Sequence, residues 1–320
     1  MIDITLLGSG GGMPVPNRFL SSAILSYRGR KILIDCGEGT QVSMKINSTG
    51  FKAIDVIVIS HCHGDHIFGL PGLLSTIGNS DRLEPITIIG PRGIKDVLDA
   101  FRVLLPYLPY KVNILEDPID PILFNIQEGI LAPLSRREAK KKKTADITIS
   151  TIGLLHSSPC LGYSFYIKRG ARFQVEKAEE NRVPKILWNR LQKGEYIEYE
   201  GKIYEPSMVL GRDRKGIKIS YITDTRPHVN IEAFIENSDL LICEGTYGSD
   251  EDIEKALKNR HMTFREAAQM SRGSSVDKLI ITHFSPAMVD PKEYINNALE
   301  EFPETILAYD GLTTSLSFKE

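Results

Sequence analysis

Five short runs of aliphatic and β-branched residues each end on a side chain that can bind a metal ion or carry a proton. Residues 53–60 (AIDVIVIS) run straight into His61, residues 147–155 into His156, and residues 217–223 into Asp224. Residues 240–243 (LLIC) are followed by Glu244, and residues 278–282 by His283. Runs of this length and composition read as buried strands. In layered α/β proteins ligands bind where strand ends meet loops. The pattern therefore calls for a fold that gathers several strand ends around one site.

Helical stretches lie between these runs. Residues 65–77 predict a helix capped by Asp65 and ended by Gly78-Asn79, and residues 94–105 predict one that stops at Pro106. Residues 263–271 open on Thr263 with Glu266 three positions on, a capping-box pattern. Interleaved strands and helices make the class α/β. A length of 320 residues admits one large α/β domain or two smaller ones, and 42% hydrophobic residues suffice for a sizeable core.

No apolar run approaches the ~18–20 residues that a membrane helix needs, and residues 1–7 alternate like a strand rather than forming a signal peptide. Cys36, Cys62, Cys160 and Cys243 lie far apart with no CxxC pair. That spacing argues against a disulfide scaffold or a zinc ribbon and suits the reducing cytoplasm. Lys and Arg total 39 against 41 Asp and Glu, so a nucleic-acid partner would have to be met by a local basic patch.

Two segments depart from the alternating pattern. Residues 136–143 (RREAKKKK) hold six basic side chains in eight. They are a candidate phosphate-tracking patch, since each Lys or Arg at a phosphate adds salt-sensitive affinity, although such runs are also common as solvated faces. Residues 168–206 contain the single Trp, charges of both signs, a helical candidate at 183–193 and β-like pieces at 196–204. This stretch reads as an insertion projecting from the domain.

The strongest chemical signal is His61-Cys62-His63-Gly64-Asp65-His66. Imidazole and carboxylate side chains converging after a strand make a natural divalent-cation site. A tight turn can direct His61 and His63 to one metal, while the start of the following helix presents Asp65 and His66 to another. Gly64 removes bulk there and permits unusual dihedrals. Residues 9–12 are glycine-rich without a P-loop lysine or a dinucleotide fingerprint, and read as a turn shaping the rim of the site.

The HxHxDH motif after a strand, with His156, Asp224 and His283 following later strands, resembles the metallo-β-lactamase superfamily. More narrowly, LLGSGGG (6–12), DCGEGTQ (35–41) and GDHIFGLPG (64–72) are similar to ribonuclease Z, as are DTRP (224–227) and THFS (282–285). The similarity is dense from residue 1 to about 90 and looser in the middle third. It implies a metallo-β-lactamase fold, a four-layer αββα sandwich, as a single domain over 1–320 with a possible substrate-binding arm at about 168–206. It further implies that His61, His63 and His156 hold a first zinc, that Asp65, His66 and His283 hold a second, and that Asp224 bridges them. His and carboxylate ligands accept Mn²⁺ as well as Zn²⁺.

The activity so implied is removal of the 3′ trailer of precursor tRNA, leaving a tRNA 3′-hydroxyl and a 5′-phosphorylated trailer. Two metals can activate a hydroxide for in-line attack on phosphorus. Asp65 is the candidate general base and His261, in His261-Met262-Thr263, the candidate proton donor to the leaving oxygen. Glu244 would orient His261, and no role is assigned to His228, expected at the surface. A homodimer in the cytoplasm is implied as well.

Three departures from the family pattern stand out. No Gly-Pro dipeptide occurs in 168–206, Cys243 stands where His usually precedes the Glu, and Pro286-Ala287 follow where an Arg is common. Alternative readings are a phosphodiesterase acting on another RNA or a small diester, a catalytically silent tRNA-binding scaffold, and a β-lactamase or thioester hydrolase on the same fold.

Overall fold

The computed structural model describes residues 1–135, 138 and 145–319. Of the basic run 136–143, all but Glu138 lies outside the described residues. The chain divides into two compact units, one of residues 1–167 and 217–320, the other Lys168–Gly216.

The larger unit is built on two sheets. The first contains β1 (Ile2–Gly8), β2 (Ser22–Tyr27), β3 (Arg30–Ile34), β4 (Ile54–Val58), β5 (Ile86–Gly90), β6 (Val112–Glu116) and β17 (Thr313–Leu316), in the order β17-β1-β2-β3-β4-β5-β6. The second contains β7 (Ile122–Gln127), β8 (Ile130–Pro133), β9 (Ile147–Gly153), β10 (Leu161–Arg169), β13 (Arg214–Ile222), β14 (Leu240–Glu244), β15 (Leu279–Thr282) and β16 (Thr305–Leu307), in the order β16-β15-β14-β13-β10-β9-β7-β8. Strands β3 to β6 run parallel, as do β13 to β16. Parallel strands joined through helices are buried on both faces, which explains the near-continuous apolar runs.

Alternation along the strands sorts the side chains into layers. Ile4, Leu6, Leu25, Ile34 and Val58 of the first sheet share one core with Phe165, Ile219 and Tyr221 of the second. Their neighbours Leu7, Ile24, Leu33 and Ile57 pack instead with Met44, Leu70, Leu73 and Ile94 of the helices outside the first sheet. The helices Val229–Ile235, Phe264–Gly273 and Ile295–Leu299 pack on the second sheet. The result is the four-layer αββα arrangement that the family resemblance implies.

Two helices differ from expectation. The 65–77 stretch is not one helix capped by Asp65 but two, Gly64–Ile67 with His63 as its N-cap and Leu70–Gly78. Pro71 has no N–H to continue the hydrogen-bond ladder, and the Gly69 N–H leaves it to donate to the Cys36 carbonyl at 2.9 Å. The helix predicted over 94–105 ends at Phe101. The capping box at Thr263 and Glu266 forms as the sequence suggests.

The unit Lys168–Gly216 runs past residue 206 and has an apolar cluster of its own, including Ala178, Leu187, Leu191, Ile197 and Val209. Within it lie the helices Val175–Glu180 and Trp188–Gln192 and the antiparallel hairpin β11 (Ile197–Tyr199) and β12 (Lys202–Tyr204).

Candidate metal centre

The strand ends place seven side chains in two adjoining cradles. After β4, His61 and His63 point the same way, with His61 Nε2 at 3.0 Å from His63 Nδ1. His156, beyond β9, brings its Nε2 to 3.2 Å from His63 Nδ1. In the second cradle His66 Nε2 lies 3.1 Å from His283 Nε2, and each is 3.3 Å from Asp65 Oδ2. Asp224, after β13, stands between the two. Its Oδ2 is 3.6 Å from His61 Nε2 and 3.7 Å from His156 Nε2, whereas its Oδ1 is 3.3 Å from His66 Nε2 and 3.1 Å from His283 Nε2.

These spacings test whether the residues fit metal ions. A tetrahedral ion with ligands at about 2.0–2.1 Å sets neighbouring ligand atoms roughly 3.3 Å apart. Both cradles meet that measure with one carboxylate oxygen of Asp224 each, so the donor set fits two ions. Burial reinforces the fit: His61, Asp65, His66, Asp224 and His283 are all buried.

Backbone geometry delivers several of these groups. Asp224 and His283 adopt left-handed conformations, φ 34° and 62°, as does Asp35 at φ 56°. Non-glycine residues held there carry strain and cluster at functional sites. Gly11 is required by close approach, since a Cβ on it would sit 2.4 Å from the His283 ring. The next amide, Gly12 N, donates to Asp65 Oδ2 at 2.6 Å, so the glycine-rich turn does border the site. Gly64 serves space rather than dihedral freedom, because a Cβ there would meet the Phe68 ring at 2.5 Å and its φ is not positive.

A surrounding layer of hydrogen bonds fixes which ring nitrogen faces the site. Asp35 Oδ2 lies 2.8 Å from His66 Nδ1 and accepts from Ser60 Oγ and the Tyr221 hydroxyl, both at 2.8 Å. His66 Nδ1 donates to that carboxylate, leaving Nε2 for a ligand. Thr246 Oγ1 donates to Glu244 Oε2 at 2.6 Å and so accepts from His283 Nδ1 at 3.0 Å, freeing that ring's Nε2 in turn.

Asp35 and Thr246 have no role in the sequence reading. Asp35 follows the apolar end of β3, so the strand-end rule that picked out His61 applies to it equally. The relay through Thr246 depends on a contact between separate strand ends and leaves no local signature.

The charges are uneven. Burial, helped by the charge of His66, pushes His61 well below its ordinary pKa, and burial likewise lowers His156. Neutral imidazole is the form that binds metal. Burial also opposes charge on His66, but Asp224, Asp35 and Asp65 hold it well above its usual value. Asp224 is buried too, yet His283, His66 and His61 keep it well below the carboxylate range.

His261 stands beside the cradles, its ring 5.5 Å from His283 and 5.3 Å from His156 between centroids. Its Nδ1 lies 3.1 Å from Glu244 Oε1 and 4.0 Å from Asp224 Oδ2. Glu244 is wholly buried and accepts from Thr225 N at 2.6 Å and Met262 N at 3.2 Å. Burial lowers the His261 pKa, but Glu244, with Asp224 and Asp65, outweighs it and raises the ring to about 9. Arg226 holds the loop, donating to the His261 carbonyl at 2.6 Å while pairing with Glu266. His228 is half-buried rather than exposed, and its Nε2 is buried without a partner.

A family model described as the anti-Pycsar protein Apyc1 matches residues 2–171. The ribonuclease Z of Clostridium perfringens is 57% identical over 320 residues, 100% of both chains. That of Clostridium beijerinckii is 58% identical over 321 residues, again 100% of both. The chain belongs to the ribonuclease Z family. Membership makes it a metal-dependent hydrolase, in keeping with the His and Asp clusters. Among solved structures, human tRNase Z, short form (ELAC1), is 26% identical, with a TM-score of 0.66 over 98% of this chain and 99% of that one. The Bacillus subtilis protein YhfI, 19% identical at TM-score 0.65 over 98% and 100% of the two chains, shares the metallo-β-lactamase fold.

Proposed function

We propose that the chain removes the 3′ trailer of precursor tRNA with two zinc ions, leaving a 3′-hydroxyl on the tRNA and a 5′-phosphate on the trailer. The observation that carries this reading is the divided carboxylate of Asp224, one oxygen in each cradle, in a chain that matches ribonucleases Z from end to end. In this reading His61, His63 and His156 hold one ion, Asp65, His66 and His283 the other, and Asp224 both. Such ions, when bound, acidify water and neutralise charge building on phosphate oxygens.

The chain's own residues do the rest. Asp65, oriented by Gly12 N, accepts the proton of the attacking water. His261 is cationic at neutral pH and spends Nδ1 on Glu244, which leaves Nε2 to protonate the leaving oxygen. Glu244 fixes that orientation.

Residues 168–206 are a substrate-binding arm on a single metallo-β-lactamase domain spanning 1–320. Support comes from the separate apolar cluster of Lys168–Gly216. Four free cysteines suit a cytoplasmic setting, and no helix among the described residues is long and apolar enough to cross a membrane. Twofold homodimers are the commonest assembly, and light scattering of the purified protein tests that part.

The metal assignment is tested by stripping the protein and titrating zinc back while following RNA cleavage. Activity reaching its plateau near two equivalents per chain supports the reading. A plateau at one equivalent, or activity in stripped protein, contradicts it.

A further inference from the structure

Arg260 closes the helix Ile253–Asn259 with φ 60° and ψ 47°, a left-handed conformation in a residue with a side chain. A left-handed residue is a common way for a helix to end, and here it turns the chain toward His261. The side chain is exposed, and its Nη1 donates to the backbone carbonyl of His156. It thus bridges the loop of His156 and the loop of His261, whose rings lie tilted to each other with centroids 5.3 Å apart. Arg226, Arg265 and Arg272 are each neutralised by a carboxylate. Among the described residues no Asp or Glu pairs with Arg260.

A guanidinium presents five N–H donors in a planar fork that matches phosphate oxygens. One donor of Arg260 is used by His156, which fixes the fork at the edge of the metal centre. We propose that Arg260 binds an RNA phosphate adjoining the scissile one and so sets the register of the strand across the two cradles. The inference rests on the RNA-cleaving reading above, and names a contact that the metal ligands and His261 do not supply.

The test compares unsubstituted protein, R260A and R260K on a 3′-extended precursor tRNA over a range of salt concentrations, with metal content measured on each. R260A is expected to lower kcat/KM by about 10- to 100-fold, the loss of one charge-assisted hydrogen bond. It should also flatten the slope of log kcat/KM against log salt by about one unit, as for one phosphate contact removed. Its metal content should match the unsubstituted protein. R260K keeps the charge without the fork, and should restore the slope with only part of the rate.

An unchanged salt slope in R260A overturns the proposal. If rate and metal content fall together at that unchanged slope, Arg260 merely holds the His156 loop. An R260K slope no steeper than that of R260A also overturns it. An unsubstituted protein that cuts no RNA refutes the proposed function and this inference with it. Cleavage that is indifferent to R260A refutes this inference alone.

Discussion

Oδ2 of Asp35 lies 2.8 Å from Nδ1 of His66, with both side chains wholly buried. Ser60 N and Oγ and the Tyr221 hydroxyl donate to the same carboxylate. An asparagine there would turn an NH2 group against groups that donate. D35N is therefore expected to weaken metal binding about 10- to 100-fold, the usual effect of losing a ligand's outer partner. The loss should fall on the cradle of His66. Competition against a zinc chelator measures it, and an unaltered affinity would show that the carboxylate does not set the ring.

Gly11 makes a steric prediction. A methyl group at this position would overlap the His283 ring, and that ring is also held from behind by Thr246. G11A should displace His283, lowering both metal content and activity while leaving the far-ultraviolet circular dichroism of the fold unchanged. Full metal content in G11A would contradict the tightness of this contact.

The Glu244–His261 pair predicts a pH effect of definite sign. Burial lowers the His261 pKa, and Glu244 together with Asp224 and Asp65 more than reverses this, raising it to about 9. A proton donor works only while protonated, so activity should hold below about pH 9 and fall above it. E244Q removes the negative charge, lowers the His261 pKa and moves the alkaline limb of kcat to lower pH. H261A should lower kcat by about 10²–10⁴-fold and abolish that limb. A limb that stays in place in E244Q would separate Glu244 from the titration.

Away from the site, Asp55 is buried between two guanidinium groups, pairing with Arg30 and, at 2.8 Å, with the fully buried Arg82. Its Oδ2 also accepts from Leu131 N at 2.8 Å, tying the first sheet to the second. D55A strands the Arg82 charge in the core, and should destabilise the fold by about 3–5 kcal/mol. Chemical denaturation of the metal-loaded protein reads this as a lower midpoint.

Much of the architecture was legible because it is written in local runs. The strands before His61 and Glu244 hold four apolar residues in a row and the one before His283 holds three, the trace left by parallel strands buried on both faces, whereas the strand before Asp224 alternates with Lys218 and Ser220. The residue types after them pointed to metal chemistry, and the fold gathers those side chains. Less legible was whatever depends on distant segments meeting. The tie of Gly69 N to Cys36 that helps break the 65–77 helix, and the overlap of Gly11 with His283, join parts of the chain that are far apart in sequence. Neither alters local periodicity. The relay from Glu244 through Thr246 to His283 is equally silent, because Thr246 has the composition of an ordinary loop residue.

The most direct test of the account is to map the products formed from a precursor tRNA with a 3′ extension, using chelator-treated protein and H63A as controls. The account predicts one cut just after the discriminator base, a 3′-hydroxyl on the tRNA, a 5′-phosphate on the trailer, and loss of the cut in both controls. An intact precursor, alongside metal-dependent hydrolysis of a small phosphodiester by the same preparation, would contradict it and assign the two-cradle site to another substrate.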